Sequence, residues 1–455
     1  MSIQRSSEKG QAMVLLVLAF VVLLGFTALA IDGGMVYADR RHAQNGADAS
    51  SLAGGGAAAL YMENNYVDYE DFSCDPNDYP AGYETSQARW WAEEAAIGRA
   101  ASNDFPIDRD ISDNNGVETA CGIHDTGGWI DKYVDITTTI TADTQTNFAH
   151  FIYSGPLRNT VRAVTRVRPK VPFGLGYAIV ALNPDCPNSN TGGVSFNGSN
   201  TVTVYGGGVF SNACIRAGGA VQVYIDEGSV CTGSGCYIPA NGSVDVSPTP
   251  TQATIPLPTF SLQIPVIDCD YPGMSNQGNH TGGGTINPGR YGRIRVNSNT
   301  DDLVLNPGLY CISDGFTMNG RSITVAPDAL GRDGGVTIYM TGGDFTVNGG
   351  ANVNLVPPPN MPNACPYCPP AVPGLLIYMD PSNAGVITIN GNAGSVFKGT
   401  IYAPTGRIDA GGTALDQIQA QMIADTVDVQ GNTVINVEID SALQFRPPAS
   451  LELFR

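Results

Sequence analysis

The chain has 455 residues, and its 42 acidic and 23 basic side chains give a net charge of −19. This charge repels phosphate backbones and excludes nucleic acid as a favoured partner. Fifty-five glycines, thirty prolines and only 14% charged residues are typical of a turn-rich extracellular β protein rather than of a helical cytosolic enzyme. The length predicts more than one domain.

The first predicted element is an uncharged apolar run from Ala12 to Ile31. As a helix, these twenty residues cover about 30 Å, which is the thickness of the hydrocarbon core of a bilayer. Thirteen of the twenty are Leu, Ile, Val or Phe. Their summed insertion free energy is about −4 to −8 kcal/mol. The run therefore predicts a single-pass anchor that contacts the lipid bilayer.

A cleaved secretory signal is the alternative interpretation of this run. Residues 28–30 read Ala-Leu-Ala, an A-x-A pattern, and basic residues precede the apolar stretch. Release after Ala30 gives a secreted protein, whereas retention gives a membrane protein. The positive-inside count does not orient an anchor, because it is a tie between two pairs, Arg5 with Lys9 and Arg40 with Arg41.

All ten cysteines lie beyond the apolar run, and their even number predicts disulfides in an oxidising compartment outside the cytoplasm. This places the long C-terminal part outside. The predicted pairs are Cys74 with Cys121, Cys231 with Cys236, Cys269 with Cys311, and Cys365 with Cys368. Cys365 and Cys368 also form a CxxC motif, which is found in zinc sites and redox pairs. Prolines flank it and a second CxxC is missing, so a stapled surface loop is favoured.

Beyond the apolar run the sequence keeps a helical character, with bulkier residues three or four apart and small residues between them. Small side chains let neighbouring helices approach closely, so this face is the predicted assembly element, with Ala47 and Ala53 on it. The order of motifs resembles the N-terminal region of TadE/TadG-like proteins of tight-adherence (Tad, or Flp) pilus assembly. The motifs are Gly10-Gln11-Ala12, the apolar run, Asp32-Gly33-Gly34, Tyr37, Arg40-Arg41, Gln44-Asn45-Gly46-Ala47-Asp48-Ala49 and Leu52-Ala53-Gly54.

The resemblance implies a pilin-like helix anchored in the membrane with its body outside, and as partners other Tad components or further copies of the chain. In pilin-related members a peptidase cuts after a glycine, and a glutamate follows at the fifth mature position. Gly10 fits the glycine, but Leu15 stands where the glutamate is expected. Cleavage after Gly10 therefore stays open. The metal-binding domain of many TadG-like proteins is not expected, because the D-x-S-x-S motif is missing from the sequence.

In the middle of the chain, residues 84–103 predict a second helix, with Trp91, Ala95 and Gly98 on one face. Alternating β-branched residues predict strands at 133–144 and 160–169. The adjacent Trp90 and Trp91 suit either a ligand platform or helix packing, and packing is favoured. These elements predict a small α+β body.

From Val171 onwards, short alternating runs flank Asn-Gly or Gln-Gly corners at 194–204, 316–325, 345–356, 387–403 and 427–439. Each corner alone is a hairpin signal, whereas the series is typical of stacked solenoid rungs. Residue chemistry leaves both open. The ordered series over residues 285–440 is similar to the β-helical C-terminal regions found behind Tad-like N-termini, which favours the solenoid. The proline-rich stretch at 245–275 predicts an extended excursion on the outside of that body.

No catalytic, cofactor-binding or metal site is predicted. The histidines are His42, His124, His150 and His280, and none of them lies in an HExxH or HxH pattern. Carboxylate pairs for a polysaccharide lyase or hydrolase, or for weak calcium binding, are limited to Asp301-Asp302 and Asp268 with Asp270. Adjacent strand residues point to opposite faces, and the second pair flanks a cysteine in a loop. We therefore expect no enzymatic activity and no cofactor.

The predicted fold class is an α+β N-terminal part, with a long transmembrane helix and a small α+β body, followed by an all-β parallel β-helix domain. The predicted domains are the anchor and Tad-like helix at 1–60, a stalk at 61–170 and the β-helix at 171–455. The predicted function is that of a membrane-anchored, surface-exposed structural protein related to Tad pilus assembly, with a role in adhesion to surface glycans. The alternative is a secreted β-helix that binds or cleaves carbohydrate.

Overall fold

A computed structural model describes residues 11–111, 114–148, 155–186, 192–199, 201–233, 235–239, 245–297, 299–360, 365–390, 395–411, 417–431, 435–438 and 443–454. These residues form two compact units. The first comprises Met1–His124, Asp131–Lys170 and Ala449–Arg455, and the second comprises Asp125–Ile130 and Val171–Pro448. The division into predicted domains at residues 60 and 170 stays a prediction.

The helices are α1 (Gln11–Asn64) and α2 (Ala81–Ala101), with short 3-10 helices at Phe173–Gly176 and Thr259–Leu262. The strands are β1 (Gly116–Asp125), β2 (Ile130–Thr144), β3 (Leu157–Arg168), β4 (Ile179–Ala181), β5 (Val194–Gly198), β6 (Thr201–Tyr205), β7 (Val209–Ser211), β8 (Ile215–Gly219), β9 (Gln222–Ile225), β10 (Ser229–Cys231), β11 (Tyr237–Pro239), β12 (Asp245–Ser247), β13 (Thr251–Gln252), β14 (Asn276–Thr281), β15 (Gly284–Ile286), β16 (Gly289–Val296), β17 (Leu303–Leu305), β18 (Gly308–Ile312), β19 (Phe316–Val325), β20 (Val336–Met340), β21 (Phe345–Leu355), β22 (Leu375–Met379), β23 (Val386–Ile389), β24 (Val396–Ala410), β25 (Gln417–Gly431), β26 (Ile435–Glu438) and β27 (Ser450–Phe454).

In the first unit, a four-stranded sheet has the order β1-β2-β3-β27. Strand β3 pairs antiparallel with β2 on one side and with the C-terminal β27 on the other. The predicted second helix and both predicted strands are confirmed as α2, β2 and β3. The first unit is therefore the predicted α+β body, completed by the last strand of the chain.

The buried face of α2 differs from the predicted one. Trp91 and Gly98 are exposed, and Ala95 is only partly buried. Small residues at helical spacing instead turn towards the core, namely Thr85, Ala88, Ala92, Ala96 and Ala100. The prediction was wrong because tryptophan was taken as the buried anchor, whereas the close approach of α1 leaves room only for alanine-sized side chains.

The second unit is mostly β, and the 23 strands that the structure describes in it form one sheet. Every strand pairing described in this unit is parallel, and the pairings fall into three columns around one apolar core. Column A contains β4, β7 and β10, column B contains β5, β8 and β11, and column C contains β6, β9 and β12. Through β24 and β25, column B continues into β23 and the first parts of β21 and β19. Column C continues into the second parts of β21 and β19 and into β17 and β15. The sheet thus closes on itself in a barrel-like way, with alternate residues turned inwards.

The hairpin interpretation of the corners is wrong for the described strands. The strands before and after the corner at residues 198–201, β5 and β6, pair with β8 and β9 respectively, in parallel register. At two other corners the chain continues as a single strand, in β19 and β21. The positive φ of 72° at Gly320 and 93° at Gly350 bends each of these strands from one column into the next.

The chain enters the stack in its interior rather than at an end. Strands β25 and β26, near the end of the unit, pair with β4, β5 and β6 at its start. From β4 the chain adds successive strands on one side of β25 and β26 as far as β13. It then continues at β14, the outermost strand on the opposite side, and returns towards β25 strand by strand. The predicted excursion at 245–275 is wrong for its first residues, which form β12 and β13 in the stack. The rest of the proline-rich stretch makes the connection, and its Leu257 belongs to the same apolar cluster as Tyr402.

All four predicted disulfides are present, namely Cys74–Cys121, Cys231–Cys236, Cys269–Cys311 and Cys365–Cys368. A fifth, Cys186–Cys214, joins the two cysteines for which no pairing was predicted. Because both sulfur atoms of the CxxC motif are in a disulfide, they are not metal ligands in this structure.

Candidate membrane anchor and assembly helix

The first part of α1 exposes an apolar surface on all sides. Every large apolar side chain from Met13 to Ile31 is between 42% and 73% exposed. These nineteen residues span about 28 Å at 1.5 Å per residue, close to the hydrocarbon thickness of a bilayer. The hydroxyl of Thr27, which is polar, donates to the carbonyl of Leu23 at 2.9 Å and so is satisfied within the helix. Among the described residues, α1 is the one helix long and apolar enough to cross a membrane.

Asp32 marks the point where α1 enters the folded first unit. It is only 4% exposed, directly after the exposed apolar segment. Its carboxylate accepts the backbone N–H of Asn147 at 2.9 Å and that of Phe148 at 3.0 Å. A carboxylate suits this position because its two oxygens satisfy both donors at once. The sequence pattern contains Asp32, but it gives no indication that the partners lie 115 residues further on.

The second part of α1 packs closely on α2 through glycine. A Cβ atom at Gly54 would lie 2.8 Å from the carbonyl oxygen of Ala92 in α2, whereas one at Gly56 would meet nothing within 4 Å. The phenol of Tyr61 donates to the carboxylate of Glu84 at 2.7 Å. Burial of Tyr61, together with this carboxylate, raises the pKa of the phenol to about 12. The α1–α2 contact therefore combines a close backbone approach at Gly54 with a side-chain hydrogen bond at Tyr61.

The small-residue face of α1 packs within its own chain. Ala47 is fully buried and Ala53 is partly buried. On the sheet side, a Cβ atom at Gly55 would lie 2.6 Å from the Thr165 side chain in β3 and 2.8 Å from that of Leu451 in β27. The expectation that Ala47 lies on a face for assembly is therefore wrong, because this side of α1 already packs on α2 and the sheet of its own chain.

The tryptophan pair lies on the open side of α2. Trp90 and Trp91 are 41% and 48% exposed, with ring centroids 4.8 Å apart in an edge-on arrangement. The guanidinium of Arg109 lies 4.8 Å from the Trp90 ring. The favoured interpretation, packing of α2 through these side chains, is wrong, because α2 packs on its alanine face.

The other sequence candidates have local structural roles. Asp302 accepts the backbone N–H of Ser322 at 2.9 Å, and Asp268 accepts that of Asp270 at 2.8 Å. Asp270 forms an ion pair with Arg290. No group of three or more potential metal ligands occurs among the residues that the structure describes.

The histidines are scattered. The imidazole of His280 contacts the Gly282 carbonyl at 3.0 Å, and that of His42 lies 5.0 Å from the Phe105 ring. His124 is exposed in β1. His150 lies outside the described residues, as do Arg5, Lys9 and Gly10.

Comparison with known proteins gives a family match for this helix. Residues 10–59 match the family model described as "Putative Flp pilus-assembly TadE/G-like". No curated protein and no solved structure matches the chain. The matched range covers the exposed apolar segment, Asp32 and the glycines that contact α2 and the sheet. Residues 10–59 are therefore similar to a TadE/G-like domain, as the resemblance in the sequence predicts.

Proposed function

We propose that this protein is a membrane-anchored structural protein related to Tad pilus assembly. The observation that carries the proposal is the continuity of α1. One unbroken helix holds fourteen exposed large apolar side chains between Met13 and Ile31 and then, from Asp32 onwards, forms part of the core of a folded unit. In water such an apolar surface would cause association. In a bilayer it is a stable anchor that holds the folded body at the membrane surface.

The second unit is, in this proposal, a parallel β-helix displayed outward from the membrane. Three columns of parallel strands around one core, joined by glycine bends, support a solenoid. Five disulfides support an oxidising location outside the cytoplasm. The body then serves assembly and adhesion, and its partners are the lipid around Ala12 to Ile31, other Tad components or further copies of the chain, and surface glycans.

The proposed role is structural and not enzymatic. The carboxylates that were candidates for acid–base work are engaged in turns or ion pairs, as described for Asp268, Asp270 and Asp302. A general acid and base need two carboxyl groups that face one substrate.

Anchoring is tested by placing charge in the apolar segment. We expect the variant L18R/L23R to leave the membrane fraction, because arginine at the centre of a span costs about 2.5–3.5 kcal/mol per residue. The matched control is L52R/L60R, which carries the same charges on exposed positions of α1 beyond Asp32. If L18R/L23R stays in the membrane fraction as fully as L52R/L60R does, the segment is not the anchor.

N-terminal sequencing of the mature protein separates the proposal from the secreted alternative. A start at Met1 supports a simple anchor, a start at Gln11 a pilin-like protein, and a start at Ile31 the secreted carbohydrate-binding or carbohydrate-cleaving form. The structure favours retention, because residues 28–30 lie within the continuous helix α1. Signal peptidase substrates are cut beyond a shorter apolar region.

A further inference from the structure

We infer that the outer surface of column B is a binding track for an extended neutral polysaccharide. The track is a repeated Thr-x-Asn pattern on three successive strands of this column, β19, β21 and β23 with the residue that follows it. It consists of Thr317, Asn319, Thr346, Asn348, Thr388 and Asn390. The inference goes beyond the proposed function and supplies a ligand class for its adhesive part.

The three threonines are in register across the strands. Thr317 lies opposite Thr346, and Thr346 lies opposite Thr388. Their neighbours Phe316, Phe345 and Ile387 are fully buried in the core. Alternation along a strand therefore turns all three threonines outwards. The result is a row of hydroxyl groups at the inter-strand spacing of about 4.8 Å.

The asparagines form a second row beside the first. The amide of Asn348 donates to the side-chain oxygen of Asn319 at 2.8 Å. When the side-chain amide of Asn390 is oriented so that its oxygen and its nitrogen both have hydrogen-bond partners, the nitrogen donates to the carbonyl of Gly411 at 3.0 Å. These contacts fix the amides in place. By contrast, no hydrogen bond within the described chain engages the hydroxyl groups of the three threonines.

Chemistry selects the ligand class. The six side chains carry no charge, and along the row the first charged neighbours are Arg295 on one side and Asp409 on the other. Asp409 is itself paired with Arg407 at 2.6 Å. Fixed amides, free hydroxyls and threonine methyl groups match the hydroxyl groups and C–H faces of a neutral sugar chain. Two rungs cover about 9.5 Å, which is comparable to the length of a disaccharide in an extended glycan.

The test uses the full chain in detergent micelles and measures binding of cellohexaose, xylohexaose and chitohexaose, with polygalacturonate as the charged comparison, by calorimetry at low and high salt. The track variant is T317V/T346V/T388V, in which valine keeps the β-branched shape and removes only the hydroxyls. The matched control is T203V/T285V/T324V, which removes three hydroxyls from the outer side of column C. Circular dichroism and thermal unfolding show whether both variants keep the fold.

We expect at least one neutral oligosaccharide to bind with little dependence on salt. The track variant should bind about tenfold more weakly or worse, because it loses up to three hydrogen bonds to the glycan and each is worth about fivefold in affinity. The control should bind as the wild type does. The inference is overturned if no neutral glycan binds, if both variants bind alike, or if only polygalacturonate binds and salt abolishes it. It is also overturned if the variant's sole effect is to abolish self-association. None of these results bears on anchoring, which the arginine variants test separately.

Discussion

Arg168 and Ser450 lie opposite each other in antiparallel register between β3 and β27, although 282 positions separate them in the sequence. The guanidinium of Arg168 binds the carboxylate of Asp131 at 2.7 Å and that of Glu452 in β27 at 3.0 Å. The larger part of the second unit, Val171–Pro448, is thus inserted in the sequence between two strands that are neighbours in the first unit.

This register predicts that the first unit folds without the insertion. Replacing Val171–Pro448 by three residues, Gly-Asn-Gly, should leave a cooperatively unfolding protein, because the ends to be joined are adjacent. We expect its amide spectrum to be dispersed and its thermal transition to be single. A chain that ends at Lys170 is the comparison, since it also loses β27 and exposes the buried Arg168–Asp131 pair. If both chains unfold alike, β27 is not part of the unit.

A second prediction concerns the close approach of α1 and α2. Gly54→Ala should lower the free energy of unfolding by about 1–3 kcal/mol, because the new methyl group overlaps the backbone of α2. Gly56→Ala is the matched control in the same helix. There the added methyl group has free space, and the higher helix propensity of alanine should raise stability by up to about 1 kcal/mol. Urea unfolding measures both values. Equal effects at the two positions would contradict the packing described.

The third prediction concerns Asp32 at the entry into the folded unit. Asp32→Ala leaves the backbone N–H groups of Asn147 and Phe148 without their acceptor, which should cost about 2 kcal/mol. Hydrogen exchange at these two amides should accelerate together. Asp32→Asn keeps one acceptor oxygen and should have a smaller effect. The control is Asp39→Ala, about two turns further along α1, which should leave the hydrogen exchange of residues 147 and 148 unchanged. If it accelerates their exchange as much as Asp32→Ala does, the role assigned to Asp32 is refuted.

The fourth prediction is a loss of stability in alkaline solution. The pKa of Tyr61 is raised to about 12 in the folded protein, chiefly by burial and then by the Glu84 carboxylate. An unfolded tyrosine ionises near pH 10. Between about pH 10 and 12 the unfolded chain therefore holds fewer protons, so stability falls as the pH rises. Below about pH 10 the phenol is neutral in both states and has no effect on the slope.

Unfolding measured at steps from pH 9 to 12 should show a shallower fall for Tyr61→Phe than for the wild type. Glu84→Gln should give an intermediate slope, because it removes the second cause of the raised pKa and leaves the first. Identical slopes in Tyr61→Phe and the wild type would show that this phenol does not contribute.

Local patterns in the sequence were sufficient for elements whose stability depends on near neighbours. The apolar run, α2 and the strands β2 and β3 follow from composition and periodicity, and the Tad-like motif order from resemblance to a known family. The four predicted cysteine pairs are present, although spacing alone does not fix connectivity. Local patterns fail where packing decides. Trp91 has the larger apolar surface, but Ala92 is the buried residue, because the distance between α1 and α2 is set by Gly54 on the other helix.

The sequence by itself determined an apolar segment long enough to span a bilayer and, after it, a turn-rich body with ten cysteines, because apolar length, cysteine number and glycine content are properties of single segments. Only the tertiary structure decided that the corners join parallel strands, that β25 lies beside β4, and that β27 returns to β3. Those choices depend on contacts between residues hundreds of positions apart. Their free energy comes from shared core burial and hydrogen bonds that no local pattern specifies.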